Sequence, residues 1–145
     1  MKFARLVLAV LAVSLLVACG GSAAVVPTAL AKADTALPST PALQTVVDQW
    51  KTDARAGLEL GTVKPESIVE ESYVSSSAIA AVADYYNKQL GTNGWTFQKR
   101  TPGLTSEGFM LAGYDQGNQS LILGAIDLSA FGGTGTYVYL AHGTK

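Results

Sequence analysis

The sequence predicts an α+β fold: an antiparallel meander of four to five strands packed against one main helix (residues ~76–91), with an additional amphipathic helix nearer the N-terminus (residues ~42–56). Three observations predict it. Two segments carry apolar residues at helical spacing. Later segments alternate or run apolar over strand length. Turn residues separate those strands, with too few positions between them for helical crossovers.

In the first helix Leu43, Val46, Val47, Trp50 and Ala54 share a stripe, and Gln44, Thr45, Asp48, Gln49, Lys51, Thr52 and Asp53 fill the other face. Pro41 suits its first turn and Gly57 its end. Leu58 to Pro65 reads as a loop. Ser67 to Val74 alternates and predicts a strand. Ser75, Ser76 and Ser77 offer N-cap hydroxyls, and Ile79, Val82, Ala83, Tyr86 and Leu90 recur at helical spacing until Gly91, the expected stop. Trp95 to Arg100 alternates large apolar with polar residues. Glu107 to Tyr114 and Gln119 to Leu128 flank Asp115-Gln116-Gly117-Asn118, a hairpin signal. Phe131-Gly132-Gly133-Thr134-Gly135 predicts a turn before a last strand, Thr136 to His142. Strands in that order pair antiparallel, and the main helix covers their apolar face.

Ahead of this domain stands a different kind of segment. Met1 to Arg5 is short and basic, and Leu6 to Ala18 is an apolar run of 13 residues interrupted by Ser14. A bilayer span needs about 20 residues, so the run fits a cleaved export signal. Its last residues, Leu16-Val17-Ala18-Cys19, resemble the lipobox of bacterial lipoproteins. That resemblance implies cleavage between Ala18 and Cys19 and a diacylglyceryl group on the Cys19 sulfur. It implies a lipid-anchored place in the cell envelope, on the outer face of the cytoplasmic membrane or, in a diderm host, on the outer membrane. Two acyl chains anchor stably where one does so marginally. Cys19 is the single cysteine, so no intramolecular disulfide forms. The expected organisation is a signal peptide over 1–18, a lipidated flexible tether over 19–41 and one globular domain over 42–145. The tether is rich in Ala, Thr, Ser and Pro, has no aromatic residue, and as a random coil would reach roughly 25 Å.

Val82, Tyr85, Tyr86, Leu90, Gly94 and Trp95 form a second pattern. It is similar to one seen in small bacterial extracytoplasmic domains, in which a helix runs into Gly-Trp and a β-meander. The resemblance covers roughly residues 65–142 and implies a fold and a location; its motif is packing, with Val82, Tyr86 and Leu90 on one helix stripe and Trp95 capping the core as the chain turns back.

Chemistry is sparse. Formal charge is −1, and removing Lys2 and Arg5 with the leader takes it to −3. After residue 5 the only basic pair is Lys99–Arg100, so nucleic acid is not an expected partner. His142 is the one histidine, three residues from the C-terminus, and no catalytic or metal-binding set forms around it; no cofactor is expected. Glu70 and Glu71 are adjacent on a strand and point to opposite faces, which spoils them as an acid–base pair. Asp115, Gly117 and Asn118 lack the acidic spacing of a calcium loop. Aromatic residues remain. Tyr85 lies off its helix stripe, and Tyr137 and Tyr139 share one strand face. Either the three are exposed together as a binding surface for an envelope protein or glycan, or Tyr137 and Tyr139 pack under the first helix, the favoured arrangement. The function expected is a non-enzymatic, membrane-anchored binding or assembly module. The alternative is a small extracytoplasmic enzyme or inhibitor using an acidic site drawn from Glu70, Glu71 or Asp127.

Overall fold

The computed structural model describes residues 24–60, 62–105 and 107–145. Helix α1 spans Pro41–Leu60, strand β1 Val69–Ser75 and helix α2 Ile79–Thr92. Strands β2 (Thr96–Leu104), β3 (Phe109–Gln116), β4 (Gln119–Asp127) and β5 (Thr136–Thr144) follow. The five strands form one antiparallel sheet in the order β1-β5-β4-β3-β2. The meander runs from β2 to β5, and β1 closes the far edge beside β5. The α+β class, the meander and both helices are as the sequence predicts.

Both faces of the sheet are covered. Helix α2 packs Val82, Ala83, Tyr86 and Leu90 against Met110, Ala112, Tyr114, Leu121, Leu123, Val138 and Leu140. Helix α1 packs Leu43, Val47, Ala54 and Leu58 against Ile122, Ile126, Tyr137, Tyr139 and Ala141 on the other side. β4 lies at the centre, so Leu121 to Ile126 is buried on both faces, and its sequence is a continuous apolar run rather than an alternation. The first helix is thus a full second cover, longer than the helix expected to be the main one.

Four boundaries differ from expectation. Helix α1 runs through Gly57 to Leu60 because Leu58 extends the stripe and is fully buried. The strand expected from Ser67 starts at Val69, after a 3-10 turn over Pro65–Ser67. Helix α2 begins after Ala78 with no side-chain cap, and the Ser75 and Ser76 hydroxyls donate instead to the Leu30 and Ala31 carbonyls of the preceding segment. It also passes Gly91. The stop is Gly94, in the left-handed region at φ 84°. Trp95 N–H donates to the Leu90 carbonyl and Gly94 N–H to the Gly91 carbonyl, the paired bonds of a Schellman cap. Gly-Trp therefore ends the helix and turns Trp95 back onto the core.

The largest difference concerns the segment before α1. From Ala24 to Ala33 it is a strap laid along the domain, not a free tether. Ala24, Val26, Ala29 and Leu30 pack on the α2-side core. Trp95 Nε1–H donates to the Val25 carbonyl (3.1 Å), Tyr85 to the Thr28 carbonyl (3.0 Å) and Leu30 N–H to the Tyr73 hydroxyl (3.1 Å). Lys32 then bridges to Ser75, and Ala33 N–H donates to the Val74 carbonyl at 2.8 Å, which covers the upper end of the β1 edge. No helix forms over Ala29–Ala36.

Candidate functional site

The apolar stripe of α1 is wide. At 100° per residue, Val46 and Trp50 fall on one margin, and Lys51 and Arg55 flank the other. Leu43, Val47, Ala54 and Leu58 are buried along the middle, whereas Val46 and Trp50 are half-buried. Gly124 makes room for the indole: a Cβ there would sit 2.5 Å from Trp50 Cε3. Trp50 accordingly lies against the β4 backbone. Phe109, at the start of β3, stands beside it with ring centroids 6.2 Å apart and planes at 44°.

Thr45, Val46, Gln49, Trp50 and Phe109 line an open apolar cleft of about 410 Å³. Its polar side chains are already engaged by the helix. The Thr45 hydroxyl donates to the Pro41 carbonyl (2.9 Å), and the Gln49 amide donates to the Asp53 carboxylate (2.8 Å). No charged side chain lines the cleft. Its chemistry suits an apolar group: two rings and a valine supply contact area, with little left over to read hydroxyls.

A second cleft, of about 390 Å³, opens between the strap, β1 and the other margin of α1. Lys32, Gln44, Lys51, Ser72 and Tyr137 are among its lining residues. Just beyond it, both oxygens of Glu70 are occupied. Tyr139 donates to Oε1 at 2.6 Å, and Arg55 donates from Nε (3.2 Å) and Nη2 (3.1 Å). The Tyr139 bond, then the Arg55 bond, holds the Glu70 carboxyl below its ordinary pKa. Burial and the Glu70 bond raise the Tyr139 hydroxyl. The cluster ties α1 to β1 across the rim of the core.

The aromatic surface considered from sequence does not assemble. Tyr137 and Tyr139 are buried under α1, while Tyr85 is on the opposite face of the sheet, half-buried against Tyr86 (centroids 5.2 Å, planes at 83°) and bonded to the strap. The carboxylates are equally dispersed. Glu71 belongs to the α2 face of β1, opposite Glu70, and Asp127 accepts from Ser129 N–H (2.9 Å) to cap a 3-10 turn over Leu128–Phe131. Neither cleft is lined by any of the three. His142 is half-buried on the α2 face, where burial lowers its pKa and Glu71 partly opposes that. Asp115 bonds Ser120 and pairs with Lys145 (3.2 Å) beside the expected hairpin turn. Ala18 and Cys19, the cleavage and lipidation residues, lie outside the described residues.

The Trp50–Phe109 cleft was not foreseen from sequence. Its signal was a glycine inside the central strand, a position that often marks a close approach by another group. That signal meant little until Trp50 could be placed above it. No protein-family model matches the chain, and neither does any curated protein or solved structure.

Proposed function

We propose that this chain is a lipid-anchored lipoprotein of the cell envelope, a non-enzymatic binding or assembly module that receives an apolar side chain of an envelope protein in the Trp50–Phe109 cleft. The observation that carries the anchor is the run Leu16-Val17-Ala18-Cys19 behind a basic start and an apolar stretch, with the chain's single cysteine at the modified position. The lining of the cleft supports the binding half. Sites that orient a polar ligand supply convergent hydrogen-bonding groups, and Thr45 and Gln49 are engaged by their own helix. A protein side chain therefore fits better than a glycan. An enzyme or inhibitor with an acidic site has less support, because Glu70, Glu71 and Asp127 stand apart and Glu70 has both oxygens occupied.

Cys19→Ala tests the anchor: precursor should accumulate and the lipid-modified form should vanish. Unchanged processing and membrane association would overturn it. A photo-crosslinker at Gln49 on intact cells tests the cleft. A discrete protein adduct, lost in Trp50→Ala, is the expected result. Repeated recovery of no specific protein would count against it, and a glycan adduct would replace the partner class.

A further inference from the structure

We infer that the domain rests on the phospholipid surface through the rim formed by the strap and β2, with Val25, Phe97 and Leu104 at the head-group boundary. The inference rests on Cys19 being the anchor and adds an orientation to it.

Chain length supplies the first argument. The strap joins the domain at Ala24, five residues after Cys19. Five residues span at most about 18 Å even when fully extended. The point where the strap meets the fold is therefore held within a short distance of the lipid. A tether running to residue 41 would have left the domain free to turn; one ending at Ala24 does not.

The surface at that point supplies the second argument. Four large apolar residues are exposed among the described residues: Val25 (59%), Val69 (55%), Phe97 (44%) and Leu104 (43%). All four lie on the α2 face of the sheet, and Phe97 and Leu104 lie at its β2 edge, where the strap begins. The Val25 carbonyl accepts from Trp95, the residue just before β2 and two before Phe97. Phe97 and Leu104 line one small cleft of about 190 Å³, together with Ala83, Asn87, Met110 and Ala112. Only Val69 lies elsewhere, on β1 at the opposite sheet edge.

Topology supplies the third. The Trp50–Phe109 cleft is on the other face of the sheet and so points away from the lipid.

The test uses the lipidated mature protein reconstituted into vesicles of phosphatidylethanolamine and phosphatidylglycerol. Val25→Cys, Leu104→Cys and, as the opposite-face control, Gln49→Cys each carry an environment-sensitive fluorophore; the Cys19 sulfur is acylated and does not label. Probes at 25 and 104 should show blue-shifted emission and several-fold weaker iodide quenching than the probe at 49. If one rim variant fails to fold, the other still reports. Equal quenching at the three positions, or protection at 49 instead, overturns the orientation while leaving the anchor intact. Mass spectrometry of the N-terminus reads the anchor separately, and an unmodified Cys19 would overturn both.

Discussion

Glu70 and His142 are ionisable groups whose pKa values the fold lowers, for different reasons. Glu70 is stabilised as a carboxylate by Tyr139 and Arg55; His142 is kept neutral by burial. In an unfolded chain they titrate near about 4.3 and 6.5. Each has a lower pKa in the native state, so the unfolded chain binds its proton first as pH falls. The stability from His142 is complete above about pH 6.5 and is lost as pH drops through its native value. That from Glu70 is complete above about pH 4.3 and is lost below. Urea midpoints measured across pH should therefore decline in two stages. His142→Gln should remove the upper stage and Glu70→Gln the lower, and unchanged profiles would refute the assignment. Tyr73 carries a further residue-scale prediction. Its hydroxyl bonds Tyr86 (2.8 Å) and accepts from Leu30 N–H. Tyr73→Phe leaves both without that partner and should cost about 1–3 kcal/mol, with faster amide exchange at Leu30. At this scale the sequence was least informative. That Tyr137 and Tyr139 share a face was legible; that α1 covers it depended on which way the helix packs.

Helices and strands were more legible because their periods are written in the chain. Their ends were less so, since a glycine ends a helix only where the backbone turns left-handed. Gly57 and Gly91 stay helical, and Gly94 at φ 84° does the stopping. Gly124 acts in another way, by admitting Trp50 to the sheet. Gly124→Ala should push the indole off β4, destabilise by about 1–3 kcal/mol as overpacking does, and shift Trp50 emission. A neutral Gly124→Ala with unchanged emission would show that the contact is slack. The strap was illegible for a plain reason. Many of its bonds run through backbone groups: the Val25 and Thr28 carbonyls, which every residue supplies alike, and the Leu30 and Ala33 amides, which any residue but proline supplies. Composition alone therefore made it look like coil.

The whole molecule is a sheet between two helices, and the sheet separates two surfaces of different character. On the α2 side are the strap, the β2 rim and the start of the described chain; on the α1 side is the apolar cleft. An anchored copy that binds a partner in that cleft is loaded between Cys19 and α1. The strap lies in the path of that load, and its contacts are met in sequence: Val25 with Trp95, Thr28 with Tyr85, Leu30 with Tyr73 and Ser75, then Ala33 with Val74. They should peel one after another while the sheet stays closed. Stretching single molecules between residue 19 and the C-terminus should show a low-force extension before the domain ruptures; a single rupture with no earlier lengthening would exclude peeling. The chain from Ala24 to Pro41 has a contour of up to about 60 Å. If Cys19 carries the proposed anchor and the cleft the proposed partner, the strap would hold the protein close to the lipid at rest and pay out slack under tension, as a mechanical fuse between the two.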